Sequence, residues 1–321
     1  MSAVPVALAG LGDIGLSAHL PALLRHPVAT PALLVDPDPD RRTAAAAIAP
    51  GVATAADVDA VLTDETIRAV VLATPPWVTT GLAARLLDAG RYVLAEKPIA
   101  ESSAAAAQLE WSDTARLQIG LTYRHDPALA RLRSWLVAGR LGAPLLVRAH
   151  IYDEARSTAS HDERIAATLG HGSPAIHEGA HVFDWLRYLL GDPDEVADAW
   201  AVRTDPAPAA PNLTGARLTY PGGTTALVEF GWLTDRLPRT ELSFLGPRGL
   251  AVLDGLTFAL RLETADGVES VNFAGTRMFR SFDRQLDRFV ALVTGAGPAP
   301  EPSLADALAA LRIGERIDAV A

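Results

Sequence analysis

The sequence predicts an α/β domain with a doubly wound parallel sheet, followed by an α+β domain built on an open, mainly antiparallel sheet. Three observations carry this. Over residues 1–122, short apolar runs alternate with helical stretches, the rhythm of strand–helix–strand crossovers. A glycine-rich turn separates the first run from the first helix. Beyond about residue 196, strand-length runs follow one another with only turns between them, among them Tyr220-Pro221-Gly222-Gly223 and Gly246-Pro247-Arg248-Gly249. The expected domains are 1–122 and 123–321.

The first run, Val4–Ala9, leads into Gly10-Leu11-Gly12-Asp13-Ile14-Gly15 and a helix over 16–25. Strand, glycine turn and helix in that order are the context of a dinucleotide fingerprint. Gly10 permits the tight turn, Gly12 lets the backbone approach a pyrophosphate, and Gly15 allows close helix–strand packing. Asp13 and Ile14 complete the turn, and the helix start offers unpaired N–H groups and a partial positive charge to the phosphates. A second strand, 32–35, ends in Asp36, 21 residues after Gly15. That spacing suits a carboxylate accepting from a ribose 2′-hydroxyl. The first domain is therefore expected to be a Rossmann domain. Because Asp36 should repel a 2′-phosphate, NAD is expected over NADP; Arg41 and Arg42, just beyond, are the residues that would hold such a phosphate instead.

The alternation continues with a strand at 69–73 before Thr74-Pro75-Pro76, and a helix over 78–89 closed by Gly90. Tyr92–Glu96 is the next strand and runs into Lys97-Pro98; a helix over 102–115 and a strand at 117–122 complete the domain. Ligands of such sheets bind outside the carboxyl ends of the strands. Gly10, Gly12, Gly15, Asp36, Thr74, Pro75, Pro76, Glu96 and Lys97 all fall there. Lys97 is the only lysine in 321 residues, against 27 arginines. Arg is effectively never deprotonated, whereas Lys carries a compact ammonium able to donate or relay a proton.

After residue 122 the pattern changes to a helix over 127–138, Gly139-Arg140-Leu141-Gly142 and a strand at 145–152. Strands are expected at 198–204, 214–220, 224–232, 240–245, 250–253 and 257–263. Helices over 282–293 and 303–319 close the chain, with a Pro/Gly-rich linker at 295–302. A polar stretch at 153–176 precedes His177, His181 and Asp184, spaced i, i+4, i+7 and so expected on one helix face beside the apolar stripe of Val182, Trp185, Leu186 and Leu189. Tyr123 and Arg124 at the crossover, Tyr152 at a strand end, His177 and His181 are the candidate substrate contacts. His177-Glu178-Gly179-Ala180-His181 also matches the HExxH pattern of zinc peptidases. The extended form is absent, since Asp184 and Arg187 occupy the following steps, and no metal is expected.

The net charge of −10 gives no basic stripe for a nucleic acid. The absence of cysteine excludes disulfides, thiolate catalysis and Cys-based zinc sites. Met1-Ser2-Ala3-Val4-Pro5 has no positive n-region, and no run of about 18 apolar residues occurs. A cytoplasmic protein without signal peptide or membrane span is expected.

Taken in order, several short motifs resemble one family over nearly the whole chain. They are the glycine turn with His19-Leu20-Pro21, Thr74-Pro75-Pro76, Glu96-Lys97-Pro98, Gly139-Arg140-Leu141-Gly142, Gly179-Ala180-His181 with Asp184, and Pro302-Ser303 with Asp306-Ala307-Leu308. The chain resembles the glucose–fructose oxidoreductase/inositol dehydrogenase (Gfo/Idh/MocA) family. The resemblance implies a two-domain NAD(P)-dependent oxidoreductase acting on sugars or cyclitols, and a homo-oligomer, dimer or tetramer, formed through the second sheet. It also implies that Lys97 touches substrate and nicotinamide and that His181 is the acid/base. The chain departs from the family pattern at two positions. His177, with Lys97 and His181 a candidate catalytic residue, stands where the family usually has Asp, four residues before the catalytic His, and Thr79 where it often has His. A second imidazole does not favour a charged partner as a carboxylate would. A cofactor-binding member without turnover is therefore the alternative; the presence of both Lys97 and His181 argues against it.

Overall fold

The computed structural model describes residues 3–152, 159–204, 210–232 and 240–321, the side chains of 159–162 excepted. It divides into two units, Met1–His125 with Met278–Leu308, and Asp126–Arg277 with Ala309–Ala321.

The first unit alternates β1 (Val4–Ala9), a wide helical turn Gly15–His19 continuing into α1 (Leu20–Arg25), β2 (Ala29–Val35), α2 (Pro39–Ile48), β3 (Ala53–Ala55), α3 (Asp59–Thr63), β4 (Ala69–Leu72), α4 (Pro76–Asp88), β5 (Tyr92–Glu96), α5 (Ser103–Ala107) and β6 (Leu117–Gly120). Its six strands are all parallel, in the order β3-β2-β1-β4-β5-β6. β4 is buried along its whole length, as expected for a parallel strand covered on both faces. The order reverses between β1 and β4, the switch point outside which such sheets bind ligands.

The helix expected over 102–115 is shorter. α5 opens on a Ser102 cap, whose Oγ accepts from the Ala105 N–H, and ends at Ala107. The Trp111 indole N–H then takes the Ala106 carbonyl at 2.9 Å, and Asp113 adopts a positive φ of 20°, which no helix tolerates.

The second unit holds α6 (Pro127–Val137), β7 (Leu146–Tyr152), α7 (Ala159–Leu169), α8 (Pro174–His177), α9 (Gly179–Leu190), β8 (Glu195–Val202), β9 (Leu213–Thr219), β10 (Thr225–Gly231), β11 (Glu241–Gly246), β12 (Gly249–Asp254), β13 (Leu260–Thr264) and β14 (Gly267–Val271). Its sheet runs β14-β13-β12-β11-β7-β10-β9-β8, antiparallel except for the β7–β10 pair. Period-2 burial gives it two unlike faces. Val147, Ala149 and Ile151 of β7 lie on the buried face with Val228 and Phe230 of β10, and Phe230 meets Phe183 of α9 edge-on at 5.5 Å. Part of the polar stretch at 153–176 lies outside the described residues; the rest includes α7.

Two helices close the chain, α10 (Arg277–Val293) and α11 (Leu304–Val320). The sequence expectation places all of 123–321 in one domain. Phe282, Leu286, Phe289, Val290 and Val293 of α10 are buried in one core with Val6 and Leu8 of β1, Leu34 of β2 and Val71 of β4, so α10 belongs to the first unit. Among the described residues no helix is long and apolar enough to cross a membrane.

Candidate functional site

In the first unit the glycine turn is shaped by contacts that only glycine allows. Gly10 has φ +95°, and a Cβ there would lie 2.4 Å from the Ala73 carbonyl oxygen at the end of β4; a Cβ on Gly15 would lie 2.1 Å from the Gly10 oxygen. Gly12 differs. A Cβ there would meet nothing within 4 Å but the tip of Arg41, at 3.9 Å, and its φ is not in the left-handed region. The chain's own packing thus does not require glycine at 12, whereas a pyrophosphate laid against the backbone does. The turn fits a dinucleotide. Asp13 accepts from Ser17 Oγ at 2.6 Å through its carbonyl, and the Ile14 side chain is exposed.

Asp36 is buried at the end of β2. Its Oδ2 accepts from Leu11 N–H at 2.8 Å and its Oδ1 from Asp38 N–H at 2.9 Å, so the carboxylate braces the glycine turn from below. The two following arginines separate. Arg42 donates to the carbonyls of Asp36 and Pro37 at 2.6 and 2.9 Å, while Arg41 stands 3.8 Å from Asp36 Oδ2. At the end of β4, Pro75 and Pro76 start α4, and the buried Thr79 hydroxyl is 2.7 Å from Thr74 Oγ1 and donates to the Thr74 and Pro75 carbonyls. The residue at the family's second His position is thus satisfied within its own turn. Glu96 ends β5 and the half-buried Lys97 follows it. Tyr123 and Arg124 lie in a short helical turn, Thr122–His125. Arg124 Nη1 is 3.3 Å from Asp306 Oδ1. Burial opposes ionisation of Asp306, but the Ser303 backbone N–H, the Arg124 charge and the Ser303 hydroxyl together hold its carboxyl below the usual range.

In the second unit the histidine helix is interrupted. His177 ends α8 and His181 lies in the first turn of α9, with Glu178 between them, although Glu178 itself keeps helical dihedrals. His177 is buried, its ring 6.3 Å from Trp232; a Cβ on Gly172 would lie 3.0 Å from its Nε2. His181 is partly buried and stacks on Trp185 at 6.1 Å and 25°, and Asp184 is fully buried one turn on. α8 is anchored by Ser173, whose Oγ accepts from Ala175 N–H and donates to Asp318 Oδ2 at 2.8 Å. Among the described residues no group of three His, Asp or Glu side chains is placed to hold a metal ion.

Tyr152 does not join His177. Tyr152 is in register with Gly231, so it shares the face of Arg148, His150 and Glu229, opposite to that of Ile151 and Phe230. Trp232, the neighbour of His177, follows the parity of Phe230. The Tyr152 hydroxyl donates to Glu229, and burial together with that carboxylate pushes its pKa up. One feature of the first unit was legible only as a motif letter: His19 pairs with Glu96 at 2.9 Å. A histidine one turn beyond the last glycine, with a glutamate closing a strand, was the available signal.

Residues 4–116 match the model of an oxidoreductase family with an NAD-binding Rossmann fold, and residues 129–252 match the GFO/IDH/MocA C-terminal domain. The chain is 31% identical to inositol 2-dehydrogenase 4 of Saccharopolyspora erythraea, over 63% of this chain and 61% of that protein. It is 29% identical to dTDP-3,4-didehydro-2,6-dideoxy-alpha-D-glucose 3-reductase of Streptomyces violaceoruber, over 99% and 94%. A levoglucosan dehydrogenase solved with NADH and levoglucosan shares the fold, with a TM-score of 0.87 at 19% identity over 99% of this chain and 97% of that one.

Proposed function

The chain belongs to the Gfo/Idh/MocA family of NAD-binding oxidoreductases, and we propose that its reaction joins nicotinamide to a carbinol or carbonyl carbon of a sugar, cyclitol or related polar substrate. The observation that carries this reading is the position of Lys97. The chain's only lysine directly follows β5, two strands from the glycine turn in the order β1-β4-β5, roughly 10 Å across at ordinary strand spacing. Of the similar proteins named above, one is an inositol dehydrogenase and one a reductase of a dTDP-linked sugar, which supports that substrate class.

When bound, the nicotinamide supplies or accepts the hydride. Gly10, Gly12, Asp13, Ile14 and Gly15 hold the pyrophosphate, Asp36 the ribose, and Thr74, Pro75, Pro76 and Glu96 form the edge beyond. The Lys97 ammonium orients the substrate oxygen and stabilises the negative charge that develops on it. His181 takes the hydroxyl proton in oxidation and returns it in reduction, a shuttle for which a neutral imidazole has a suitable pKa range. His177 and Tyr123 contact substrate. Arg124, which also pairs with Asp306, and Tyr152, whose hydroxyl donates to Glu229, are the further proposed substrate contacts. A second copy is proposed to cover the sheet face that exposes Trp200, Val202 and Leu245.

The test is a screen of inositol, sugars, keto-sugars and linear polyols for an absorbance change with NAD(H), followed by variants on the fastest substrate. Lys97→Arg keeps the charge but loses the compact ammonium, so kcat should fall ~100-fold or more while the Kd for NADH stays within about twofold. His181→Ala should lose ~10²–10⁴-fold. Retention of most activity in Lys97→Arg would remove Lys97 from the reaction.

A further inference from the structure

Glu96 is the last residue of β5, and its carboxylate is buried. One oxygen, Oε1, accepts from His19 Nε2 at 2.9 Å; the other, Oε2, accepts from the backbone N–H of Lys97 at 3.1 Å. β6 closes a third side. A Cβ on Gly120 would lie 3.0 Å from the Glu96 Cδ and Oε1, so the carboxylate fits where a side chain is missing. His19 is itself fixed. It is buried at the end of the helical turn that opens at Gly15, with its ring edge-on to Phe282 of α10 at 4.9 Å and 83°. A continuous tie therefore runs from the glycine turn through His19 and Glu96 to the peptide nitrogen of Lys97, entirely within the first unit.

Core packing alone does not call for this pair. Apolar residues of the same volume fill such a space without desolvating a carboxylate, and buried ionic pairs are often neutral or worse for stability. What the pair adds is direction: a charge-assisted hydrogen bond fixes the orientation of the peptide it grips. We propose that His19 and Glu96 are positioning residues for Lys97, fixing the peptide from which its side chain departs to the helix that begins at the glycine turn. The inference rests on the reading of Lys97 as the group that orients the substrate oxygen. It explains why a histidine sits at the end of that helical turn and a glutamate immediately precedes the lysine.

A single lysine makes the tie visible without substrate. Protein labelled with [15N]lysine gives one backbone amide cross-peak, that of Lys97. Glu96→Ala removes the acceptor, so this peak should shift and its amide should exchange with solvent roughly tenfold faster or more. His19→Phe keeps a ring against Phe282 but deletes the Nε2 donor, and should move the same peak. His19→Gln restores a donor at similar reach and should bring it back. On the fastest substrate of the screen above, kcat of His19→Phe should fall ~10–100-fold while the Kd for NADH stays within about twofold, with His19→Gln recovering most of the rate. In a Lys97→Ala background, His19→Phe should cost nothing further, as expected for residues acting through one another. A purely structural pair would lower the melting temperature and leave kcat of the folded protein intact. If Glu96→Ala does not fold, the two His19 variants decide. An unmoved Lys97 peak in His19→Phe, or a kcat within about twofold of the parent, overturns the proposal. Activity retained in Lys97→Arg alongside a moved peak would instead overturn the role of Lys97 and leave the tie standing.

Discussion

At Asp36, two backbone N–H groups and one guanidinium converge on a buried carboxylate. Each oxygen retains acceptor capacity beyond its one backbone donor, which suits a ribose diol and opposes a 2′-phosphate. Arg41 works in the other direction: at 3.8 Å it offsets part of the carboxylate's repulsion and is placed to meet a phosphate. Arg42 is not, because its guanidinium is spent on two carbonyls. A hydrogen bond to a charged group contributes roughly 1.5–3 kcal/mol, and about 1.4 kcal/mol is tenfold in affinity. NADH should therefore bind about tenfold or more tightly than NADPH. Asp36→Ser should shrink that gap, and Arg41→Ala should widen it by weakening NADPH alone. Fluorescence titration of both nucleotides measures this; a parent that prefers NADPH would show that Arg41, not Asp36, governs the choice.

At the scale of elements, the parallel sheet was readable because its signals are local: an apolar run, a glycine turn, a helix, and polar residues at each strand end. The alternation of β7 is likewise visible in the sequence. Val147, Ala149 and Ile151 set one parity, and Tyr152 has the other, so its separation from His177 follows from period 2 once the strand's end is known. What was not readable depended on partners distant in sequence. The alanine-rich run at 103–107 favours helix on propensity, yet the Trp111 indole and the positive φ of Asp113 stop it early. The amphipathic pattern of α10 announces an apolar stripe but not the core that receives it. That core is testable. Phe289 is fully buried among β1, β2 and β4 residues, and truncating a buried Phe removes its transfer energy and leaves a cavity, about 3–5 kcal/mol in all. Phe289→Ala should therefore lower the stability of the first unit by that amount and weaken NADH binding with it. A loss below about 1 kcal/mol would mean the α10 stripe is not core.

For the molecule as a whole, the net charge of −10 invites the expectation that acid, by neutralising carboxylates, relieves repulsion and stabilises the fold. One histidine predicts the reverse over a defined window. His125, at the end of the helical turn after β6, has its pKa pushed down from 6.5 to about 4, by burial first and then by the charges of Arg124, Arg288 and Arg284. Its Nε2 is buried with no hydrogen-bond partner among the described residues. Between these two values the unfolded chain takes up a proton that the folded chain refuses, so stability falls as pH falls, by about 1.4 kcal/mol per unit. The contribution is complete above pH 6.5, is lost by roughly 3 kcal/mol on reaching pH 4, and changes no further below that. Asp306 acts in a lower window: its depressed carboxyl stabilises the fold above about 3.8, and that share disappears only on further acidification. The two are separable by substitution. His125→Gln has no titrating ring, so the stability difference between parent and variant, measured by urea unfolding at pH 7 and pH 4, should move against the parent by about 3 kcal/mol. Parallel pH profiles for the two proteins would show that His125 is protonated in the folded state, and the three arginines around it would then need carboxylate partners to balance a fourth positive charge.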